Sequence, residues 1–203
     1  MSDPIVYVID DDAPVRDSLL LFLEVQGIRA REFESAEAFL AVVRPTWAGC
    51  VLLDLRMPGM SGLELQTALA ERDLRLPIIV ITAHGDVPAA RSALKAGAID
   101  FLEKPLDHTA LLAAIDTALE RDRQQRRAHA AAATLASRMD ELTPRERDVM
   151  WLVAEGRGNQ EIGARLGISP RTVEIYKARM LDKLEVAGLP ELLQLVRDVP
   201  RTR

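Results

Sequence analysis

The stretch Cys50–Leu65, CVLLDLRMPGMSGLEL, most limits what this chain can fold into. An apolar run, Cys50 to Leu53, delivers one carboxylate, Asp54, and the chain then turns through Pro58, Gly59 and Gly62 into a helical pattern. A continuous apolar run this short, closed by turn residues, suits a buried strand of a parallel sheet. Asp54 then stands at the carboxyl end of that strand, where open α/β sheets place their ligands. On its own it could equally be an aspartate that caps a turn. The ends of three other apolar runs decide the matter.

Ile5 to Ile9 is strand-like and ends in Asp10, Asp11 and Asp12; Asp12 is expected to cap the next helix, with Pro14 in its first turn and Gly27 as its stop. Leu19, Leu20, Phe22 and Leu23 give that helix an apolar face. Ile28 to Phe33 reads as a more polar strand nearer an edge. Ser35 caps a short helix that turns Ala38, Phe39 and Val42 inward. Ile78 to Ile81 follows Pro77 and ends in Thr82; His84 reads as a loop residue. A helix from about Val87 stops at Gly97, and Ile99 to Leu102 leads into Lys104-Pro105. Asp107 caps a helix with Leu111, Leu112, Ile115 and Leu119 at helical spacing. Five strands alternating with five helices imply a doubly wound α/β fold, flavodoxin-like, with parallel strand order 2-1-3-4-5.

The last helix does not stop cleanly, because Glu120 to Met139 is charged and alanine-rich with no Pro or Gly, which makes a helical linker. Beyond it, Thr143-Pro144-Arg145-Glu146 is a capping box with proline at the first helical position. That helix buries Val149, Leu152 and Val153 and halts at Gly156. Asn159 is expected to cap a short helix carrying Ile162 and Leu166, ended by Gly167. Ser169-Pro170 opens a third helix to about Leu184, and a fourth runs from about Pro190 to Val196. Two short helices joined by a three-residue, Gly-containing turn are a helix-turn-helix signature. The expected organisation is therefore an α/β domain over 1–122, a helical linker over 123–140 and an all-α four-helix domain over 141–203.

Charge divides along the same line. Of the net −5, residues 1–122 carry −9 and residues 123–203 carry +4, so a polyanion is a plausible partner for the second domain only. Cys50 is the only cysteine, which excludes an internal disulfide and a cysteine metal cage. The acidic N-terminus and the lack of a long apolar run predict a cytoplasmic protein with no membrane segment.

In a parallel sheet of this order, Asp10, Asp11, Asp54, Thr82 and Lys104 converge on one edge. Three carboxylates in one place need a counter-charge, which a hard cation such as Mg²⁺ supplies through oxygen ligands. A hydroxyl and an ammonium opposite them suit the oxygens of a phosphoryl group. The combination reads as Mg²⁺-assisted phosphoryl transfer onto Asp54.

Over residues 4–120 this pattern resembles the receiver domain of bacterial two-component response regulators. The back half resembles the LuxR-type DNA-binding domain, and the whole chain is most similar to FixJ-like members of the NarL/FixJ family, the stretch ITAHGDVP included. The resemblance implies a sensor histidine kinase as phosphodonor, with Asp54 the phosphoacceptor. It implies Asp11 as a direct Mg²⁺ ligand, Asp10 acting through water and the Arg56 backbone carbonyl on the metal. Thr82, Ala83 and Lys104 would meet the phosphoryl, the Lys104-Pro105 bond would be cis, and Phe101 would be the switch aromatic. Relatives pair through helix 4, strand 5 and helix 5, a face that here includes Val87, Arg91, Lys95 and Asp100, so a homodimer on phosphorylation is implied, and RNA polymerase is a further expected partner.

On the third helix of the back half, Val173, Met180 and Leu184 lie on one side. The other side shows Arg171, Glu174, Ile175, Ala178 and Arg179, with Lys177 on the flank; with Thr172 these are the expected DNA-binding set. Glu174 can accept from a cytosine amine and Ile175 or Ala178 can touch a thymine methyl, while Arg171, Lys177 and Arg179 hold phosphates. Family alignment makes Glu174, Ile175 and Ala178 the base-facing positions of promoter recognition. Two other readings compete. A flavodoxin-like nucleotide binder lacks its glycine motif here, and a phosphorylation-independent DNA-binding adaptor would have no use for a complete acidic site.

Overall fold

The computed structural model describes residues 3–83 and 87–196, so His84 and the side chain of Val87 lie outside them. The chain divides into two compact units, with the division between Arg126 and Arg127.

In the first unit β1 (Ile5–Ile9), β2 (Ala30–Phe33), β3 (Gly49–Asp54), β4 (Ile78–Thr82) and β5 (Asp100–Glu103) form one parallel sheet. The strand order is β2-β1-β3-β4-β5. Between the strands run α1 (Ala13–Val25), α2 (Ala36–Leu40), α3 (Gly62–Glu71) and α4 (Val87–Lys95), and α5 (His108–Asp140) follows β5. β3 is buried along its whole length, as its uninterrupted apolar run requires. Successive side chains point to opposite faces, so the sheet feeds two cores. Tyr7, Ile9, Val51, Leu53 and Val80 join Phe39, Leu65 and Leu69 on one face; Val6, Val8, Leu52, Ile79 and Ile81 join Leu19, Leu23, Leu111 and Ile115 on the other.

Two local expectations fail. Asp12 occupies the N-cap of α1 but its side chain makes no cap bond; its own N–H instead donates to Asp10 Oδ1 at 3.0 Å. Val42 is 40% exposed, because α2 ends at Leu40 and breaks the periodicity that would have turned Val42 inward. Ser35 does cap α2, and Asp107 accepts from Ala110 N–H at the start of α5.

Buried Asp122 on α5 accepts from Gly49 N–H at 3.1 Å, and Arg126 donates to the carbonyls of Trp47 and Thr46. These bonds tie the loop before β3 to α5. Gly49 holds φ +129°, and a β-carbon there would overlap the Ile5 carbonyl oxygen. At the other end of β3, Gly62 opens α3 directly against the Asp54 carbonyl and Leu55 Cα, which leaves no room for a side chain.

The second unit contains α6 (Pro144–Ala154), α7 (Asn159–Leu166), α8 (Pro170–Lys183) and α9 (Leu189–Val196), with the end of α5. Its core is Val149, Met150, Leu152, Val153, Ile162, Val173, Met180, Leu184 and Leu192, with Leu135 and Met139 packed against it. Thr143 and Glu146 form the expected capping box. Gly167 ends α7 in the left-handed conformation, φ +68°, and Ser169 caps α8. Buried Glu146 also accepts from Lys183 Nζ at 2.7 Å, which fastens the start of α6 to the end of α8. Burial alone would raise its carboxyl, but the Lys183 and Thr143 bonds outweigh that and hold it below the usual value.

Gly62→Ala is expected to destabilise the first unit by about 1–3 kcal/mol through overpacking against backbone, read as a lowered unfolding midpoint. Because Glu146 is depressed in the folded state, its stabilisation is complete above the unfolded value of ~4.3 and is lost as pH falls through the lower folded value. Glu146→Gln should therefore weaken the second unit at neutral pH and flatten that acid limb in pH-dependent melts.

Candidate functional site

Register sets the site. Ile9 pairs with Leu53, so Asp10 and Asp54 leave adjacent strands side by side. Asp54 pairs with Ile81, and Thr82 with Glu103, which brings Thr82 and then Lys104 to the same edge. Carboxylate oxygens of Asp10, Asp11 and Asp54 lie within 4.8 Å of one another. Asp10 and Thr82 are almost fully buried, Asp54 is 6% exposed, and Asp11 and Arg56 face solvent.

Lys104 lies among the acids. Its Nζ donates to Asp10 Oδ2 at 2.6 Å and to Asp54 Oδ2 at 3.3 Å, and the Lys104-Pro105 peptide is cis. Arg56 N–H donates to Asp54 Oδ1 at 3.3 Å. Burial raises the Asp54 carboxyl above its usual value; the Lys104 charge and the Arg56 N–H pull it down, and the Asp10 charge pushes it up again. Burial alone would lower the Lys104 ammonium, but its bonds and charge interactions with Asp10 and Asp54 outweigh that, so it ends above its usual value. Three carboxylates against one ammonium leave a negative cluster whose donors are all oxygens. That donor set fits a hard divalent cation.

Two residues that sequence reasoning passed over hold this edge in place. Arg16, on α1, donates Nη1–H to the Asp10 carbonyl at 2.8 Å and Nε–H to Glu32 at 2.9 Å. Glu37, on α2, accepts from Met60 N–H at 2.8 Å and so pins the loop that follows Asp54. Arg16 reaches back 6 residues to Asp10 and on 16 residues to Glu32, and Glu37 lies 23 residues from Met60, so no helical or strand period marks either. Ser61 and Glu64 add a capping box at α3, legible as S-x-x-E but not singled out. Phe101 is half-buried against the core, and Ala83 is exposed just past β4. Arg91 and Lys95 are exposed on α4, while Asp100 is half-buried and accepts from Phe101 N–H.

On α8, Val173 and Met180 are buried, while Arg171, Glu174, Ile175, Ala178 and Arg179 are exposed. Ile175 keeps 47% of its surface in water, a large apolar side chain on a polar face. Thr172 is half-buried beside the Ser169 hydroxyl. Asn159 does not cap α7. Gly158 takes that position, and the Asn159 side chain reaches across to Glu174 and Lys177.

Residues 6–116 match the family model of the response regulator receiver domain, and residues 140–196 match that of the bacterial regulatory proteins of the luxR family. Fold and sites together define a receiver followed by a LuxR-type DNA-binding domain. Over 190 residues the chain is 46% identical to the transcriptional regulatory protein FixJ of Azorhizobium caulinodans, covering 94% of this chain and 90% of that protein. The solved structure of the response regulator StyR matches with TM-score 0.86 at 41% identity, covering 97% of this chain and 99% of that one. Full-length FixJ from B. japonicum matches with TM-score 0.60 at 40% identity, covering 97% of each. The chain belongs to the FixJ-like two-component response regulators.

Replacing Lys104 by methionine removes the charge that stabilises ionised Asp54. The Asp54 titration, followed by carboxyl NMR, should then move further upward.

Proposed function

We propose that this regulator accepts a phosphoryl group on Asp54 from a sensor histidine kinase, in the presence of Mg²⁺, and that the modified chain dimerises and binds promoter DNA. The observation that carries this reading is the convergence of Asp10, Asp11, Asp54 and Lys104 on one edge of the sheet. A carboxylate oxygen of Asp54 attacks the phosphorus of a phosphohistidine. The P–N bond breaks, and the imidazole leaves with its electron pair. The product is an aspartyl phosphate. Asp11 and Asp54, with Asp10 through water and the Arg56 carbonyl, would hold the cation, whose part is to neutralise charge on the phosphoryl oxygens. Lys104 would exchange its bond to Asp54 Oδ2 for one to the phosphoryl, with the Thr82 hydroxyl and Ala83 meeting the other oxygens.

Withdrawal of Lys104 and Thr82 toward the phosphoryl would let Phe101 move further inward, a two-state change biased by Asp54. The pairing face would be α4, β5 and α5, where Arg91 and Lys95 stand exposed and Asp100 half-buried. Such a mixture of charges suits reciprocal contacts about a two-fold axis. Paired DNA-binding domains then read two half-sites, with α8 in the major groove, at promoters served by RNA polymerase in the cytoplasm. Among the described residues no helix is long and apolar enough to cross a membrane.

Wild type given a small-molecule phosphodonor and Mg²⁺ should take up hydroxylamine-labile label, and Asp54→Asn should take up none. Undiminished label on Asp54→Asn would remove Asp54 as acceptor. Sedimentation with beryllium fluoride should show dimer affinity raised by roughly 5–150-fold. A chain that binds its promoter equally well unmodified would instead be a phosphorylation-independent adaptor.

A further inference from the structure

One polar side chain at the start of α7 engages two residues of α8 at once. Asn159 donates through Nδ2 to Glu174 Oε1 at 3.3 Å and accepts at Oδ1 from Lys177 Nζ at 3.1 Å. Because Gly158 holds the N-cap of α7, the Asn159 amide is not needed to cap its own helix. Its two ends differ chemically, and each meets its complement, the donor a carboxylate and the acceptor an ammonium. Reversing the amide would set NH₂ against the ammonium and carbonyl against the carboxylate, so the two charges select its orientation. Glu174 and Lys177 stand one turn apart on α8, a spacing at which opposite charges attract each other directly. The amide between them holds each toward α7 instead.

We propose that Asn159 is a specificity-determining positioning residue, which fixes the Glu174 carboxylate and thereby sets the base that α8 selects at one position of its site. The inference rests on the reading of α8 as the groove-facing helix. A free glutamate on a helix surface samples many rotamers, and a base contact has to freeze them. With Oε1 already held by Asn159, part of that ordering is complete before DNA arrives. The remaining lone pairs of the carboxylate can accept from a cytosine amine. Lys177, held half-buried on the flank, is directed to the phosphate backbone, where it adds affinity without reading sequence.

The test is binding-site selection from a random DNA library by the full chain in the presence of beryllium fluoride. Wild type is compared with Asn159→Ala, Asn159→Asp, Glu174→Ala and Asn159→Ala/Glu174→Ala, each checked by a thermal melt. Asn159→Ala should relax preference at the same base position as Glu174→Ala, by roughly two- to tenfold, the range for one hydrogen bond. The double variant should match Glu174→Ala alone. Asn159→Asp keeps an acceptor for Lys177 but sets a like charge against Glu174, so it should disturb that same position more than Asn159→Ala does. Unchanged preference in Asn159→Ala, loss spread evenly over all positions, or additive effects in the double variant would each overturn the inference. A wild-type protein that selects no sequence would defeat the reading of α8 itself, and the failure would appear before any substitution. Selection by wild type that survives intact in Glu174→Ala would leave α8 as reader and overturn only the role of Asn159.

Discussion

The ammonium of Lys104, bonded to both Asp10 and Asp54, is the interaction on which the rest of the first unit depends. Parallel β1 and β3 in this register leave two carboxylates at neighbouring strand ends, and a third, Asp11, follows at once. Without a cation that edge would be a concentration of like charge in a poorly solvated place, and burial already raises Asp54. β4 separates β5 from β3, so Lys104 must span about two strand spacings, near 10 Å, to reach Asp54. Only a long side chain covers that distance. Lysine also brings a compact charge with rotatable donors that can be handed from one oxygen to another.

Around that charge cluster the fold supplies rigidity from three directions. β3 is held by strands on both sides and buried on both faces, so Asp54 cannot drift. Arg16 anchors the Asp10 carbonyl, Glu37 pins the loop after Asp54, and Gly62 lets α3 begin directly against the Asp54 backbone. At the opposite end of β3, Asp122 and Arg126 carry the influence of α5 to the loop that precedes Gly49. In the second unit one core and one polar tie do comparable work. Val173, Met180 and Leu184 seat α8 on the other helices, and Glu146 joins the cap of α6 to Lys183.

Much of this was legible in the amino-acid order. Apolar runs of four or five residues ending in polar groups, separated by helical periods and punctuated by Gly and Pro, specify an alternating α/β fold. That fold implies the strand order and hence the convergence of Asp10, Asp54, Thr82 and Lys104. The caps at Ser35, Asp107, Thr143 and Ser169 follow from local chemistry, because an N-cap bond spans only three residues. The failures have separate causes. Asp12 stands at the N-cap of α1 but its side chain makes no cap bond, while Asn159 lies one residue inside α7, where it finds charged partners on α8. Val42 was placed inward by a period that the short α2 does not sustain.

The sequence by itself determined which residues are strands, which are helices and which side chains stand at strand ends, because hydrophobic period and capping act within a few residues. Only the tertiary structure decided which acid Lys104 bonds more closely, that Arg16 and Glu37 brace the site, and that the amide of Asn159 meets both Glu174 and Lys177. Those outcomes depend on distances between atoms that are 6 to 94 residues apart in the chain. Such distances are set by how helices seat on a sheet and on each other, which no local pattern encodes.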